Sequence, residues 1–381
     1  MGLFGIVDDA TIKEGMCTDI YFLRTEEILK KEGRNPLVTM EVTATSLPRG
    51  WAIFSGLQDL LTLLEGLPLS VHAMPEGSIF YTNEPVVRIQ GRYLDIGRYE
   101  TSILGFLCHA SGVATATAHV VLAAEGKPVY SFGSRRQHPA IAGMIERSAW
   151  IGGVAGVSNL AAPEGISVVG TMPHSFIICY TSVEEAFRAF DRHAPKDVPR
   201  IMLCDTHCDE KREALTAARV GAVAVRLDTP GSRRGDLRAI LEEVRWELDV
   251  AGYEEVEIFL SGGLTREDVA RYCDLVDAFG VGGSIANAQV VDFALDIVEI
   301  QGTNYAKRGK RSGEKQVYEL LPLSHQVQLM GRPAPADGTP LLLSWMKGGR
   351  ILQQPSLQEA RDRVQEILKQ LNRQGASNIS G

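Results

Sequence analysis

An excess of positive charge is missing from this chain: 39 Lys and Arg stand against 47 Asp and Glu, a formal net charge of −8. That balance argues against nucleic acid as the main partner. It leaves small anionic ligands open, because binding one needs only a local cluster of donors. Cysteine is scarce and scattered (Cys17, Cys108, Cys179, Cys204, Cys208, Cys273), which predicts reduced thiols rather than a disulfide framework. No run reads as long and apolar enough to cross a membrane. The N-terminus carries Asp8 and Asp9 where a signal peptide would be basic and then apolar. These absences predict a cytoplasmic protein with no membrane partner. What remains is an ordinary globular composition, 381 residues with 45% hydrophobic and 23% charged, enough for two domains with their own cores.

Asp8 to Leu29 reads as an opening helix, with Thr11 and Glu14 at capping-box spacing. Pro36 to Thr45 then reads as a strand, and Gln58 to Leu64 as a short helix. Short β segments follow at Ser70–His72, Ser78–Tyr81, Pro85–Ile89 and Tyr93–Leu94. Glu100 to Ala124 is apolar at helical spacing. From Lys127 strand-like and helix-like runs alternate: Pro128–Phe132, Ile166–Val169, Arg200–Cys204, Ala222–Leu227, Val256–Leu260 and Val276–Gly280, most of them followed by a helical stretch. Repeated βα units with apolar strands predict a parallel sheet closing into an irregular barrel. After Ile297 the alternation stops. A basic stretch (Lys307, Arg308, Lys310, Arg311, Lys315) reads as a solvated loop. Pro340–Leu343 reads as a strand, and a last amphipathic helix starts near Pro355 with Ser356 and Glu359 as a capping box. The predicted fold is α/β: an N-terminal α/β domain over residues 1–125, an irregular parallel α/β barrel over 126–296, and a segment 297–381 packing back on the first domain.

Parallel βα units put every loop after a strand on one rim, so those loops list the candidate site. They hold Phe132 with Arg135 and Arg136, then Ser158-Asn159, then His174 in Gly170-Thr171-Met172-Pro173-His174. Asp205 and His207 follow, then Arg226 and Asp228, then Ser261-Gly262-Gly263, and last Gly282-Gly283-Ser284. Adjacent arginines at a strand end call for an anionic partner. The glycine pairs let backbone N–H groups approach a phosphate near a helix N-terminus, although a tight turn explains each pair alone. Together they predict a phosphorylated ligand. No direct protein ligation of a metal is expected. Asp205 and Asp228 suit either Mg²⁺ held through water or salt bridges to nearby arginines. Cys204, His207 and Cys208 lack a second cysteine pair at structural-zinc spacing. Arg233 and Arg234 lie in a loop where they either clamp a ligand or stay solvated.

The motifs Thr18-Asp19-Ile20-Tyr21-Phe22-Leu23-Arg24-Thr25, Phe132-Gly133-Ser134-Arg135-Arg136, Ser158-Asn159, Gly170 to Phe176, Val225-Arg226-Leu227-Asp228, Ser261-Gly262-Gly263 and Phe279 to Ser284 occur in an order that resembles nicotinate phosphoribosyltransferases over nearly the whole chain. The resemblance implies a type II phosphoribosyltransferase fold. It implies a reaction of nicotinate with phosphoribosyl pyrophosphate, giving nicotinate mononucleotide and pyrophosphate, with ATP as co-substrate and Mg²⁺ as cofactor. It further implies that His174 takes a phosphoryl group from ATP, with Asp205 and Asp228 as catalytic companions. Phe132 would stack on the pyridine, with Tyr21 from a second subunit of a homodimer on the other face. Arg135, Arg226 and Asp228 match positions holding the sugar and its phosphates, and Ser261, Gly262, Gly263, Gly282 and Gly283 match the 5′-phosphate site. Relatives that use nicotinamide carry an aspartate where Asn159 stands, so Asn159, Ser158 and Arg136 favour the acid. Quinolinate and nicotinamide phosphoribosyltransferases are the alternative enzymes, and a non-catalytic nucleotide-binding regulator is the alternative class. Two departures from the family pattern are the lack of any cysteine after Cys273 and the stretch Pro230 to Arg234 before Gly235-Asp236.

Overall fold

The structure, a computed structural model, describes residues 4–229 and 235–379, with side chains described as far as residue 374. Arg233 and Arg234, read as either a ligand clamp or solvated, lie outside the described residues. The chain forms two compact units, residues 1–115 with 289–381, and residues 116–288.

The first unit is built on a seven-stranded antiparallel sheet. Its strand order is Thr303–Asn304, Phe293–Ile300, Leu37–Ala44, Pro85–Arg92, Ser70–Ala73, Leu343–Lys347, Arg350–Ile351. Val42 is central, paired with Leu295 on one side and Val87 on the other. These apolar strands join Leu57, Leu60, Leu61 and Leu64 of the helix Leu57–Leu64 in one core. The unit takes up the chain again from residue 289, where Phe293–Ile300 pairs along Leu37–Ala44.

The opening helix is two helices, Asp9–Lys13 and Ile20–Lys31. The first is capped by Asp8, whose Oδ1 accepts from Thr11 N at 2.8 Å, in place of the expected Thr11–Glu14 box. The break falls at Gly15, where φ is +68° and a Cβ would sit 2.7 Å from the Arg98 side chain. Tyr93–Ile96 is helical rather than extended. Pro340–Leu343 divides between the strands Thr339–Pro340 and Leu343–Lys347. Lys307 and Lys310 are not solvated bystanders, since both pair with the buried Asp296, at 2.6 and 2.9 Å. One helical run, Tyr93–Ala123, does meet the length and apolar composition of a membrane span. Most of it is buried, and Ile103 and Leu107 lie in the core of the unit, the setting of a core helix.

The second unit carries a six-stranded parallel sheet in the order Gly156–Val157, Val129–Ser131, Ala278–Val281, Glu257–Leu260, Ala224–Leu227, Ile201–Leu203. The sheet curls as a half-barrel, the form that the irregular barrel takes. Local chemistry sets the intervening helices. Asp209 caps Glu210–Val220 and Gly221, at φ 98°, ends it. Asp236 caps Leu237–Val250, and a Thr265/Asp268 capping box opens Arg266–Tyr272. Ile166–Val169 is not a buried strand: it makes a single parallel bridge through Val168, which is 44% exposed. The run is too short and too near the sheet edge to be covered on both faces.

In the first unit, Glu100 is pushed up to about 7 by burial and by the Asp296 charge, opposed by Lys307. A carboxyl held above its ordinary value favours the neutral acid in the fold. Its stabilising contribution is present at acid pH and lost as pH rises from the ordinary value of 4.5 through about 7. Glu100→Gln is therefore expected to flatten thermal stability across that window and to raise the melting temperature above it. Denaturation followed across pH checks this.

Candidate active site

At the C-terminal ends of the parallel strands lies a cavity of about 960 Å³. It is lined by Phe132, Arg135, Arg136, Ser158, Thr171, His174, Arg226, Asp228 and both glycine pairs with Ser261. A parallel sheet makes this convergence unavoidable, because residues remote in sequence all leave their strands on one edge.

Arg226 occupies the centre. Its side chain is 13% exposed. Nη1 donates to Thr171 Oγ1 at 2.6 Å, Nε to Ser261 Oγ at 2.9 Å, and Nη2 pairs with Asp228 Oδ2 at 3.3 Å. Its Cζ lies 5.3 Å from the centroid of the Phe132 ring, a cation–π contact. Burial pulls the guanidinium down from its ordinary value, and Asp228 and Asp205 oppose that. Ser261 relays the cluster onward, its Oγ donating to Asp228 Oδ1 at 2.8 Å.

Asp205 sits behind the cavity wall, its side chain 2% exposed. Its Oδ2 accepts from Asp228 N and from Thr229 Oγ1, both at 2.6 Å. Its Oδ1 is buried without a hydrogen bond. Burial raises its carboxyl above the ordinary range, against its hydrogen bonds and His174. His174 opens the short helix His174–Ile178 rather than standing in a loop. Its Nε2 faces Asp228 Oδ2 at 3.7 Å and Asp205 Oδ1 at 3.8 Å. Its Nδ1 lies 3.0 Å from Thr206 Oγ1. No group of three or more potential metal ligands occurs among the described residues. The unpartnered Asp205 Oδ1 and the adjacent Asp228 nevertheless fit a hydrated divalent cation better than a direct ligand cage.

The glycine turns are constrained by contact. Gly262 has φ +99°, and a Cβ there would meet Asp228 O at 2.8 Å. A Cβ on Gly133 would meet Gly282 O at 2.5 Å. Ser284 Oγ donates to Leu264 O at 2.5 Å, tying the two phosphate-type turns together. Ser158 rather than Asn159 lines the cavity. Asn159 turns inward, its Nδ2 donating to Ser134 Oγ and its Oδ1 accepting from Ala161 N, both at 2.9 Å. Tyr21 lies in the first unit, 55% exposed, and its hydroxyl donates to Asp19 Oδ2 at 3.2 Å.

Sequence reasoning missed Thr206, Glu213, Thr229 and Glu146. Glu146 is fully buried beneath the Ser131 and Ser134 hydroxyls, and burial pushes its carboxyl up. Each of these is a common residue type on or beside an ordinary helix, and no spacing rule marks it. Gly280 stands inside the motif Phe279 to Ser284, but its role emerges only from geometry. A Cβ there would lie 2.5 Å from the Phe132 ring.

Comparison with known proteins places this geometry. The family profile described as "Quinolinate phosphoribosyl transferase, C-terminal domain" matches residues 113–296, and the corresponding N-terminal domain profile matches residues 19–111. A nicotinate phosphoribosyltransferase of Mycobacterium tuberculosis is 35% identical over 339 residues, spanning 82% of this chain and 71% of the relative. A Pyrococcus furiosus structure described as nicotinate-nucleotide pyrophosphorylase superposes with TM-score 0.95 at 49% identity, covering 98% of this chain and 99% of that one. Human nicotinic acid phosphoribosyltransferase superposes with TM-score 0.77 at 21% identity, covering 93% of each chain, a likeness of fold. The half-barrel and its rim define a phosphoribosyltransferase of the type II fold. The chain belongs to the nicotinate phosphoribosyltransferase family.

Gly280→Ala is expected to destabilise the protein by about 1–3 kcal/mol through overpacking against Phe132. Gly283→Ala, whose Cβ would meet only Asn287 Nδ2 at 3.5 Å, is expected to cost less. Denaturant titration of both variants makes the comparison.

Proposed function

We propose that this enzyme joins nicotinate to phosphoribosyl pyrophosphate, giving nicotinate mononucleotide and pyrophosphate. It acts as a cytoplasmic homodimer and couples the reaction to ATP through a phosphohistidine at His174. The observation that carries the reading is the placement of Phe132 and Arg226 in one cavity, 5.3 Å apart, with two glycine turns on the same rim. A flat ring beside a desolvated cation suits a pyridine carboxylate next to a phosphorylated sugar.

The chemistry is substitution at the anomeric carbon through an oxocarbenium-like transition state, with pyrophosphate leaving. Catalysis rests on positioning the ring nitrogen and neutralising the leaving group. Phe132 would stack on the pyridine, and Ser158 and Arg136, which line the same cavity, would favour its carboxylate. Arg135 and Arg226 face the phosphates, and Ser261 with the backbone at Gly262, Gly263, Gly282 and Gly283 cradles the 5′-phosphate. Asp205 and Asp228 would hold Mg²⁺ through water, where it would add charge neutralisation at the pyrophosphate. Phosphorylation of His174 would add charge and acceptor oxygens between these carboxylates and the arginines. The exposed Tyr21 is available to close a partner's pyridine site.

A second reading, quinolinate phosphoribosyl transfer, is favoured by the family profiles. It releases carbon dioxide, which separates the two. Purified protein is expected to convert nicotinate in preference to quinolinate or nicotinamide, without carbon dioxide release, and faster with ATP. His174→Ala is expected to keep slow synthesis and lose stoichiometric ATP hydrolysis. Conversion of quinolinate with carbon dioxide release would overturn the substrate assignment. Stoichiometric ATP turnover by His174→Ala would overturn the phosphohistidine.

A further inference from the structure

His174 is not held by packing alone, since its side chain is 38% exposed. Its orientation depends on what touches its two nitrogens. Two carboxylates, Asp228 at 3.7 Å and Asp205 at 3.8 Å, face Nε2. They favour a ring proton at that nitrogen. The Thr206 hydroxyl, 3.0 Å away, then donates to Nδ1. Donating to Nδ1, the hydroxyl locks the tautomer that the carboxylates favour, and it fixes the plane of the ring.

Thr206 is itself held in an unusual way. Glu213, on the helix Glu210–Val220, is 1% exposed. Its carboxylate accepts from three consecutive backbone N–H groups, Thr206 at 2.9 Å, His207 at 2.6 Å and Cys208 at 2.8 Å. Successive N–H groups converging on one point make an anion-binding concavity, and here the chain fills it with its own carboxylate. The other end of the turn is fixed by Asp205 Oδ2, which accepts from Asp228 N and Thr229 Oγ1. The turn is thus pinned on both sides, and its one hydroxyl points at His174.

We propose that Thr206 and Glu213 are positioning residues for the reaction. Glu213 sets the turn, and Thr206 sets the tautomer and orientation of the His174 ring. The proposal deepens the functional reading above and rests on His174 being the reactive histidine.

Nitrogen-15 spectroscopy of the histidine side chains in the free protein, read at alkaline pH, tests it. His174→Ala assigns the signal. The wild-type ring is expected as a single tautomer protonated at Nε2. Thr206→Val, which keeps the shape and removes the hydroxyl, is expected to give averaged ring-nitrogen shifts of mixed tautomers. Thr206→Ser, which restores the hydroxyl, is expected to return the wild-type signal. Glu213→Gln is expected to behave as Thr206→Val does. Both disruptive variants should lower kcat by roughly 10- to 100-fold with the KM for nicotinate unchanged, the mark of a misplaced group rather than lost binding. A wild-type ring signal in folded Thr206→Val overturns the role of Thr206, and the same signal in folded Glu213→Gln overturns that of Glu213. Should Glu213→Gln fail to fold, Thr206→Val and Thr206→Ser decide alone. The spectrum is read without substrate or ATP, so it is independent of whether His174 is ever phosphorylated.

Discussion

A positive charge removed from water organises this enzyme's second unit. Arg226 is nearly buried, and a guanidinium in that position is costly unless its donors are satisfied and its charge is met. The strand Ala224–Leu227 delivers it, Ser261 and Thr171 accept from it, and Asp228 pairs with it. Each partner comes from the end of a different chain segment. Satisfying one guanidinium therefore fixes the relative positions of three loops. Asp228 in turn donates its backbone N–H to Asp205, which brings in a fourth. The rim is a polar network whose members depend on one another, so loss of one leaves the others buried and unpaired.

This network also explains why small residues are needed where they stand. The strand ends approach so closely that Gly133, Gly262 and Gly280 have no room for a Cβ. Close approach is what lets the Phe132 ring lie flat beside the cation and lets backbone amides line the far wall. Charge compensation, packing and the shape of the cavity are one constraint seen at three scales.

Much of this was legible in the sequence. The βα alternation after Lys127 marked the parallel sheet, and rim residues could be listed because topology alone puts post-strand loops on one edge. His174, Arg226, Asp228 and both glycine pairs were found that way. Asn159 was found as a residue but not in its orientation, because the competing partners Ser134 and Ala161 are a matter of loop geometry. Glu213 and Thr206 were invisible for a different reason. They act through backbone amides and a single hydroxyl, and such roles carry no spacing signature. In the first unit, the break at Gly15 was hidden because the helical pattern continues on both sides of it. The Ile166–Val169 run looked like a strand, since β-branched composition does not reveal how little of the sheet edge is left to pair with. The pairing of Lys307 and Lys310 with a buried aspartate is likewise a long-range fact that charge patterning cannot supply.

The central claim is that Arg226 is the organising cation of a phosphoribosyl pyrophosphate site. Titration calorimetry of phosphoribosyl pyrophosphate into wild-type protein and into Arg226→Gln tests it most directly, with circular dichroism confirming that the variant is folded. The account predicts affinity lower by at least about tenfold, the loss of one charge-assisted hydrogen-bonding group. A folded Arg226→Gln protein that binds with wild-type affinity would contradict it.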